Sequence, residues 1–547
     1  MRGTPSAPNP PAGPPVAAPK RRLRHRIPLR IRHNYRLLAS CAVFLLVVTV
    51  ALGSTRIRPY VTSAANAATD VVTVDIAGTV DLFDSTVAHE ISLVFRDDDY
   101  QRMLDAYFDD GEKEYVEADL VIDSTTIPSV GIRLKGNSTL SGLTRDGETA
   151  QRGGAAPDGG RFDGGQRPDG GQRPDGGQGQ RQGAGGPGGG MGRAGLAAEE
   201  PETLPWLISF DTFVEGRRYQ GLQEIAVRVG GMGGGSAVAN EALALSLLAT
   251  AGMATQRYAY SAFTVNDRPT TARLVVEHPD EHYAAGLGDS GVLYKSLAGG
   301  SFTYQGEDPV EYQDDFKQIN LTGSQDLQPV INLTRWVSEA SDDEFDDELA
   351  DHVDVESFAR YVAAQNLLLN FDDMAGPGRN YYLWYDLATR KFTVVSWDHN
   401  LTFSGDANLG PQDAVTMGGG RFGGGDGGAT PQNGTAPQDR FEPPDGFQPP
   451  DRAGSGAAPQ GGGPGRSTGH PLKERFLASD AFTEVYEAAY RDLYQRMFAS
   501  GAATAALDDL AAVLATVDGQ NGSVVATELE QLRTTVEQRT EGLRDQV

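Results

Sequence analysis

An α+β fold is what the sequence predicts, and three observations carry that prediction. Segments with strand-like alternation or β-branched and aromatic runs come mostly early, while the long apolar-periodic helical segments come late. Strands first and helices later, with some mixing, is the pattern of segregated layers. Gly (68) and Pro (31) are concentrated in a few tracts, so the rest of the 547 residues suits one large domain or two closely joined lobes. One uncharged apolar segment also stands apart near the N-terminus.

Residues 1–36 read as a disordered basic tail. Leu37 to Gly53 (LLASCAVFLLVVTVALG) runs 17 residues without a charge, near the lower limit for spanning a bilayer. Residues 1 to 69 hold 11 Lys/Arg and no Asp or Glu. That flank places the N-terminus in the cytoplasm and the main domain outside, as a single-pass anchor in the cell membrane. A cleaved secretion signal, cut near Ala65-Asn66-Ala67, is the competing reading. Cys41 is the only cysteine, and it precedes the apolar run instead of following it, which argues against lipidation. The extracytoplasmic part then has neither disulfides nor Cys-ligated zinc. The net charge is −27, so with +11 in the N-terminal part the rest carries −38. A domain that acidic does not grip nucleic acid by neutralising phosphates.

The main domain is expected over residues 71–500. Its strands are Val71 to Val80, His89 to Phe95, Tyr115 to Ile122 and Val130 to Leu134, with a short helix at Asp97 to Phe108. Two low-complexity tracts, 146–200 (with the repeat DGGQRP-DGGQRP-DGGQ) and 406–469, cannot bury a core and read as disordered insertions. Trp206 to Phe213 is a strand, and Ala237 to Ala251 is a helix entered from a glycine loop, Gly230 to Gly235. That loop fits no standard phosphate-loop spacing, so a flexible helix entry explains it better. Tyr258 to Val265 and Thr271 to Glu277 form a hairpin around Asn266-Asp267. His278 and His282 are spaced i, i+4 but are split by Pro279, and read as surface residues. Val355 to Leu369 is a helix. Helices at Leu472 to Phe498, Ala502 to Val517 and Ser523 to Arg544 close the chain, with 501–547 a C-terminal helical segment.

The chemistry concentrates in LNFDD…NYYLWYDLATRKFTVVSWDHNLTF. Asp372 follows a helix, Asn380 opens a strand, and Asp398 ends the next strand of a hairpin. Two acids and an amide converging this way suit a phosphoryl-transfer centre, where one Asp takes the hydroxyl proton and the others hold Mg²⁺. The bland alternative has Asp398 capping a turn and Asn380 closing a loop.

These residues resemble the CotH family, atypical protein kinases first known from spore coats. Arg133-Leu134-Lys135-Gly136-Asn137-Ser138, Asn240-Glu241, Val265-Asn266-Asp267, Leu274-Val275-Val276-Glu277 and Gly291-Val292-Leu293-Tyr294-Lys295 follow in the family's order. The resemblance implies an atypical protein-kinase-like bilobal domain that transfers the ATP γ-phosphate to Ser/Thr of a protein substrate, with Mg²⁺ or Mn²⁺. It implies Asp372 as catalytic, Asp398, Asn380 and Asn400 as metal ligands, and Lys135, Glu277 and Lys295 as nucleotide-binding residues. The last three are also candidates for a Lys–Glu pair. Departures are Ser396 for the family's Pro, Ser404 for its Gly, and a spacing of eight from Asp372 to Asn380 against about five in a kinase loop. Asp373 is an alternative to Asp372. A surface-exposed binding or adhesion module of the same family is the alternative function. If the anchor is retained, the mature N-terminus found by mass spectrometry should precede Leu37; one near Ala68 would replace the anchor with a cleaved signal.

Overall fold

The computed structural model describes residues 72–136, 139–149, 195–230, 236–416 and 469–547. The chain divides into Met1–Asn66, which lies outside these residues, and Ala67–Val547, to which everything below belongs. The anchor expected at 37–53, Asn137-Ser138, most of the glycine loop and most of both low-complexity tracts are likewise outside. No single helix among the described residues is long and apolar enough to cross a membrane.

The first half of the chain is built around a closed barrel of seven strands. In chain order, β1 (Val74–Ile76) precedes it and pairs with β8 in a separate two-stranded sheet. Next come β2 (Ala88–Phe95), α1 (Asp97–Asp110), β3 (Val116–Ile122), β4 (Thr125–Leu134), the short hairpin β5 (Thr144–Arg145) and β6 (Glu148–Thr149), β7 (Trp206–Ser209), β8 (Arg217–Tyr219) and β9 (Glu224–Val227). Helix α2 (Ala239–Thr250), β10 (Tyr258–Val265) and β11 (Thr271–Glu277) follow. The barrel order is β10-β11-β9-β7-β4-β3-β2, and a parallel pairing of β2 with β10, Tyr260 against Ala88 through Val265 against Leu93, closes it. Its interior is filled by alternate side chains such as Leu93, Leu120, Ile132, Trp206 and Phe263.

The second half begins with α3 (Glu281–Leu287), β12 (Gly291–Ser296) and β13 (Phe316–Gln318). Three helices, α4 (Gln328–Glu339), α5 (Asp342–His352) and α6 (Val355–Leu367), lead into the hairpin β14 (Tyr381–Asp386) and β15 (Phe392–Ser396). Helices α7 (Pro471–Ala478), α8 (Thr483–Tyr494), α9 (Ala502–Leu514) and α10 (Gly522–Leu543) complete the fold. Strands β13-β12-β14-β15 form one antiparallel sheet. Period-two alternation places the hairpin between two cores. Tyr381, Leu383, Phe392 and Val394 join the large helical core, while Tyr382, Trp384 and Val395 join a small cluster with Trp397.

Mixed strand and helix content agrees with the α+β expectation. Two segments assigned to the low-complexity tracts are ordered instead. Leu196 and Ala198 are buried, with Ala198 N bonded to Thr144 O at 2.7 Å. Residues 406–416 run along the helical core, where Ala407 is buried. Helices α4 and α5 were not anticipated. The second carries a complete capping box, with Ser341 and Glu344 each bonding the other's main-chain N–H.

One side chain ties the last helix to this region. Arg539, fully buried on α10, donates to the carbonyls of Leu367, Ala407, Leu409 and Asn366, to Asn366 Oδ1 (2.7 Å) and to Tyr490 Oη (3.0 Å). The buried guanidinium thus caps the carbonyls at the end of α6 and in the 406–409 turn, and its loss would leave several of them unpaired. Arg539→Met is therefore expected to destabilise the fold by roughly 3–5 kcal/mol, read as a shift of the urea midpoint at unchanged slope.

Candidate active site

Helix α6 ends at Leu367 and the chain turns through Leu369, which adopts a left-handed φ of 51°. Asn370 is held by Gln365 (2.7 Å) and its Oδ1 receives the Asp372 N–H (3.2 Å). Asp372 is then fixed from two sides. Its Oδ1 accepts the Gly378 N–H at 2.6 Å, and its Oδ2 accepts Asn380 Nδ2 at 2.9 Å. The eight-residue spacing is thus absorbed by a loop that curls back on its own acid. Only glycine allows the curl: a Cβ on Gly376 would lie 2.4 Å from Asp372 Cα, and one on Gly378 2.6 Å from Asp372 Oδ2. Asp373 faces the other way, ion-paired with Lys473 of α7, and its main-chain carbonyl takes the Gly376 N–H. Asp372, not Asp373, is the acid presented to the site.

Asp398 follows β15 in a left-handed conformation (φ 59°), tolerable for Asp but a local strain. The turn after it is latched to α2. Asn240 Nδ2 donates to the main-chain carbonyls of Asn400 (2.7 Å) and Thr402 (3.1 Å), and Thr402 Oγ1 returns a bond to Asn240 O (3.2 Å). Asn400 makes this contact through its backbone.

Arg228, just past β9, bridges the buried Glu241 of α2 and Asp398, whose Oδ1 lies 3.2 Å from Nη1 and finds no hydrogen-bond donor of good geometry. Three cations gather on one indole. Lys135 Nζ is 5.0 Å, Arg228 Cζ 5.0 Å and Lys295 Nζ 5.4 Å from the Trp397 ring centre. Lys295 also lies over Tyr382, its neighbour across the β12–β14 pairing.

The charges respond to this crowding. Burial pulls the Lys295 ammonium down to about 8 against the opposing pull of Asp398. Burial and then Arg228 take Lys135 well below its ordinary value. Burial works against the Asp398 charge, but Arg228, Lys135 and Lys295 outweigh it and hold the carboxyl low. Asp372 is pushed up to about 6 by burial, opposed by the Gly378 N–H, with the nearby Asp398 and Asp373 charges adding to the rise.

The structure thus brings Asp372, Asn380, Asp398, Lys135 and Lys295 into one neighbourhood, but not Glu277. Its carboxylate is bonded to Arg257, through the main-chain N–H (3.1 Å), Nε (3.2 Å) and Nη2 (2.7 Å). The reason is alternation along extended backbone: His278 packs edge-on to Trp397 at 5.7 Å, so Glu277 turns away. His278, expected on the surface, belongs to the site's wall. The acid beside the lysines is Glu241, and its ion-pair partner is Arg228. Ser236, entering α2, is held through N–H (2.7 Å) and Oγ (3.0 Å) by Glu528 of α10, so a carboxylate already serves that glycine-loop end.

Two carboxylates and the amide carbonyl of Asn380 are hard oxygen donors that suit Mg²⁺ or Mn²⁺ when phosphate oxygens complete the shell. Among the described residues no group of three or more His, Cys, Asp or Glu could hold a metal unaided. The residues fit a cation shared with a phosphate, not a closed cage.

A family model described as CotH kinase protein matches residues 196–545, and a search of curated proteins finds no match. Lys135 lies before the matched segment, so its place in the site rests on the geometry above.

The raised Asp372 makes a prediction about stability. Its folded form keeps a proton to about pH 6, the unfolded form only to about 3.9. The charge therefore costs stability as pH rises through that window. Without divalent cations, Asp372→Asn should be more stable than the parent at pH 7 by about 1–3 kcal/mol, and equal to it below about pH 4, in urea titrations at both pH values.

Proposed function

This chain belongs to the CotH family, and from that premise we propose that it is a protein kinase acting on Ser or Thr hydroxyls of an extracytoplasmic protein, with ATP and Mg²⁺ or Mn²⁺. The observation that carries the reading is the nearness of two carboxylates that feel each other's charge, Asp372 and Asp398, to the Lys135–Lys295–Arg228 cluster on Trp397. One side of the site attracts phosphate oxygens and the other attracts a cation and a hydroxyl. The barrel and the helical half would be the two lobes, with the 37–53 segment anchoring them to the membrane.

Asp372, ionised at neutral pH and gripped by Gly378 and Asn380, orients the acceptor hydroxyl and takes its proton. Lys135 and Lys295 hold phosphate oxygens as point charges. Asp398, with Asn380 and Asn400 as further candidates, would hold the cation, which neutralises phosphate charge when bound. Positioning and charge stabilisation are most of what this chemistry requires.

A second reading, a binding module without catalysis, draws on one observation: Arg228 already neutralises Asp398, the carboxylate a cation would use.

With labelled ATP and Mg²⁺ or Mn²⁺, transfer from the γ but not the α position should rise with pH through about 6 as Asp372 ionises. Asp372→Asn and Asp398→Asn should each lower it about 10²-fold or more. Equal activity in parent and both variants, or none with either metal, would sink the kinase reading.

A further inference from the structure

Beside the three cations lies a group that the kinase reading leaves unused. His278 sits between β11 and α3, its ring edge against Trp397 and its Nδ1 2.9 Å from Glu224 Oε2, at the start of β9. The other oxygen of Glu224 accepts Tyr115 Oη at 2.7 Å, and Arg133 lies 5.2 Å over the Tyr115 ring. A half-buried carboxylate, bonded to a tyrosine through one oxygen, sets the other 2.9 Å from the imidazole, close enough for charge to act although the hydrogen-bond geometry to Nδ1 is poor. Its charge favours a protonated ring. The charged groups acting on the ring are Glu224 from β9, Lys135 just past β4 and Lys295 from β12, with Arg133 of β4 acting on Glu224 behind it.

We propose that His278, braced by Glu224, is a fourth anion-binding group of this site, which takes up a proton when a polyphosphate occupies the Lys135–Lys295 side. The argument is one of charge balance. Lys135, Lys295 and Arg228 face three carboxylates, Glu241, Asp398 and Asp372, which leaves no net positive charge for a ligand carrying three or four negative ones. His278, packed on the same indole as the three cations, is a group able to add another. In the free chain burial, with the two lysines adding to it, holds its pKa down to about 4 despite Glu224, so the ring is neutral at pH 7. A polyanion reverses that balance. Between the free and the bound pKa, binding consumes a proton, so affinity rises as pH falls. Lys295, titrating near 8, loses its charge only at higher pH, whereas Asp372, titrating near 6, loses its charge inside the same window, so the part of the slope that belongs to His278 is read by comparing variants with the parent.

The inference rests on the phosphate side of the proposed site, and inorganic tripolyphosphate probes it without requiring phosphoryl transfer. Titration calorimetry of the full chain with tripolyphosphate, in paired buffers from pH 5 to 7.5, should show affinity rising about tenfold toward pH 5 with proton uptake. His278→Gln should bind more weakly and with a shallower slope, the remainder being what Asp372 and the probe's own protonation supply. His278→Lys, charged throughout, should bind at least as tightly as the parent at pH 7.5, with the same shallower slope. Circular dichroism at both ends of the range checks folding, and either variant alone suffices to decide. An unchanged pH slope in a folded variant, or no tripolyphosphate binding by the parent, overturns the proposal. Intact pH-linked binding without γ-phosphate transfer would instead overturn the kinase reading and leave this one standing.

Discussion

The site depends on one buried guanidinium. Arg228 leaves the end of a barrel strand and joins Glu241 of α2 to Asp398 at the tip of the β14–β15 hairpin. Three elements distant in sequence thus share one charge network, buried at Glu241 and Arg228 and opening to solvent at Asp398. Breaking a pair of this kind leaves an uncompensated buried charge, which costs far more than the pair contributes. The geometry is over-determined as a result. Asn240, one residue before Glu241, clamps the backbone on the far side of the same turn, so α2 cannot shift without dragging Asp398 with it.

Much of this was legible in the chain, for identifiable reasons. The hairpin announced itself through aromatic and β-branched runs either side of a polar turn, and a hairpin brings its ends together whatever the rest of the fold does. Asp372, Asn380 and Asp398 were therefore readable as neighbours. Arg228 was not, because its role depends on burial between elements that only tertiary packing brings together. Glu277 shows a narrower limit. The segment was recognised, but a single step of register decides which of two consecutive side chains faces the lysines, and His278 was the one. Closure of the barrel by parallel pairing of β2 with β10, more than 160 positions apart, left no local signal at all. Helix α5 did leave one, the Ser341–Glu344 box, which the strongly acidic composition around it obscured.

The loop between Asp372 and Asn380 shows how a longer connection can keep a short one's geometry. The extra residues do not spread the two groups apart. They form a tight coil that returns the Gly378 N–H to the acid at its origin, and Asn380 closes the ring. Lys473 pins the outside of the coil through Asp373, while Met374 N–H donates to the Tyr361 hydroxyl inside the core (3.1 Å). Loop length adds little closure entropy by itself. What the added residues must supply is partners for their own backbone, and here they do.

Arg539 has a consequence for when the site can exist. It supplies the donors for the carbonyls at the end of α6 and in the 406–409 turn, close by the loop that carries Asp372. It also follows every site residue in the chain. A growing polypeptide that has already emitted the barrel, both acids and both lysines still lacks the brace that fixes their floor. Assembly of the centre therefore waits until synthesis has passed α10.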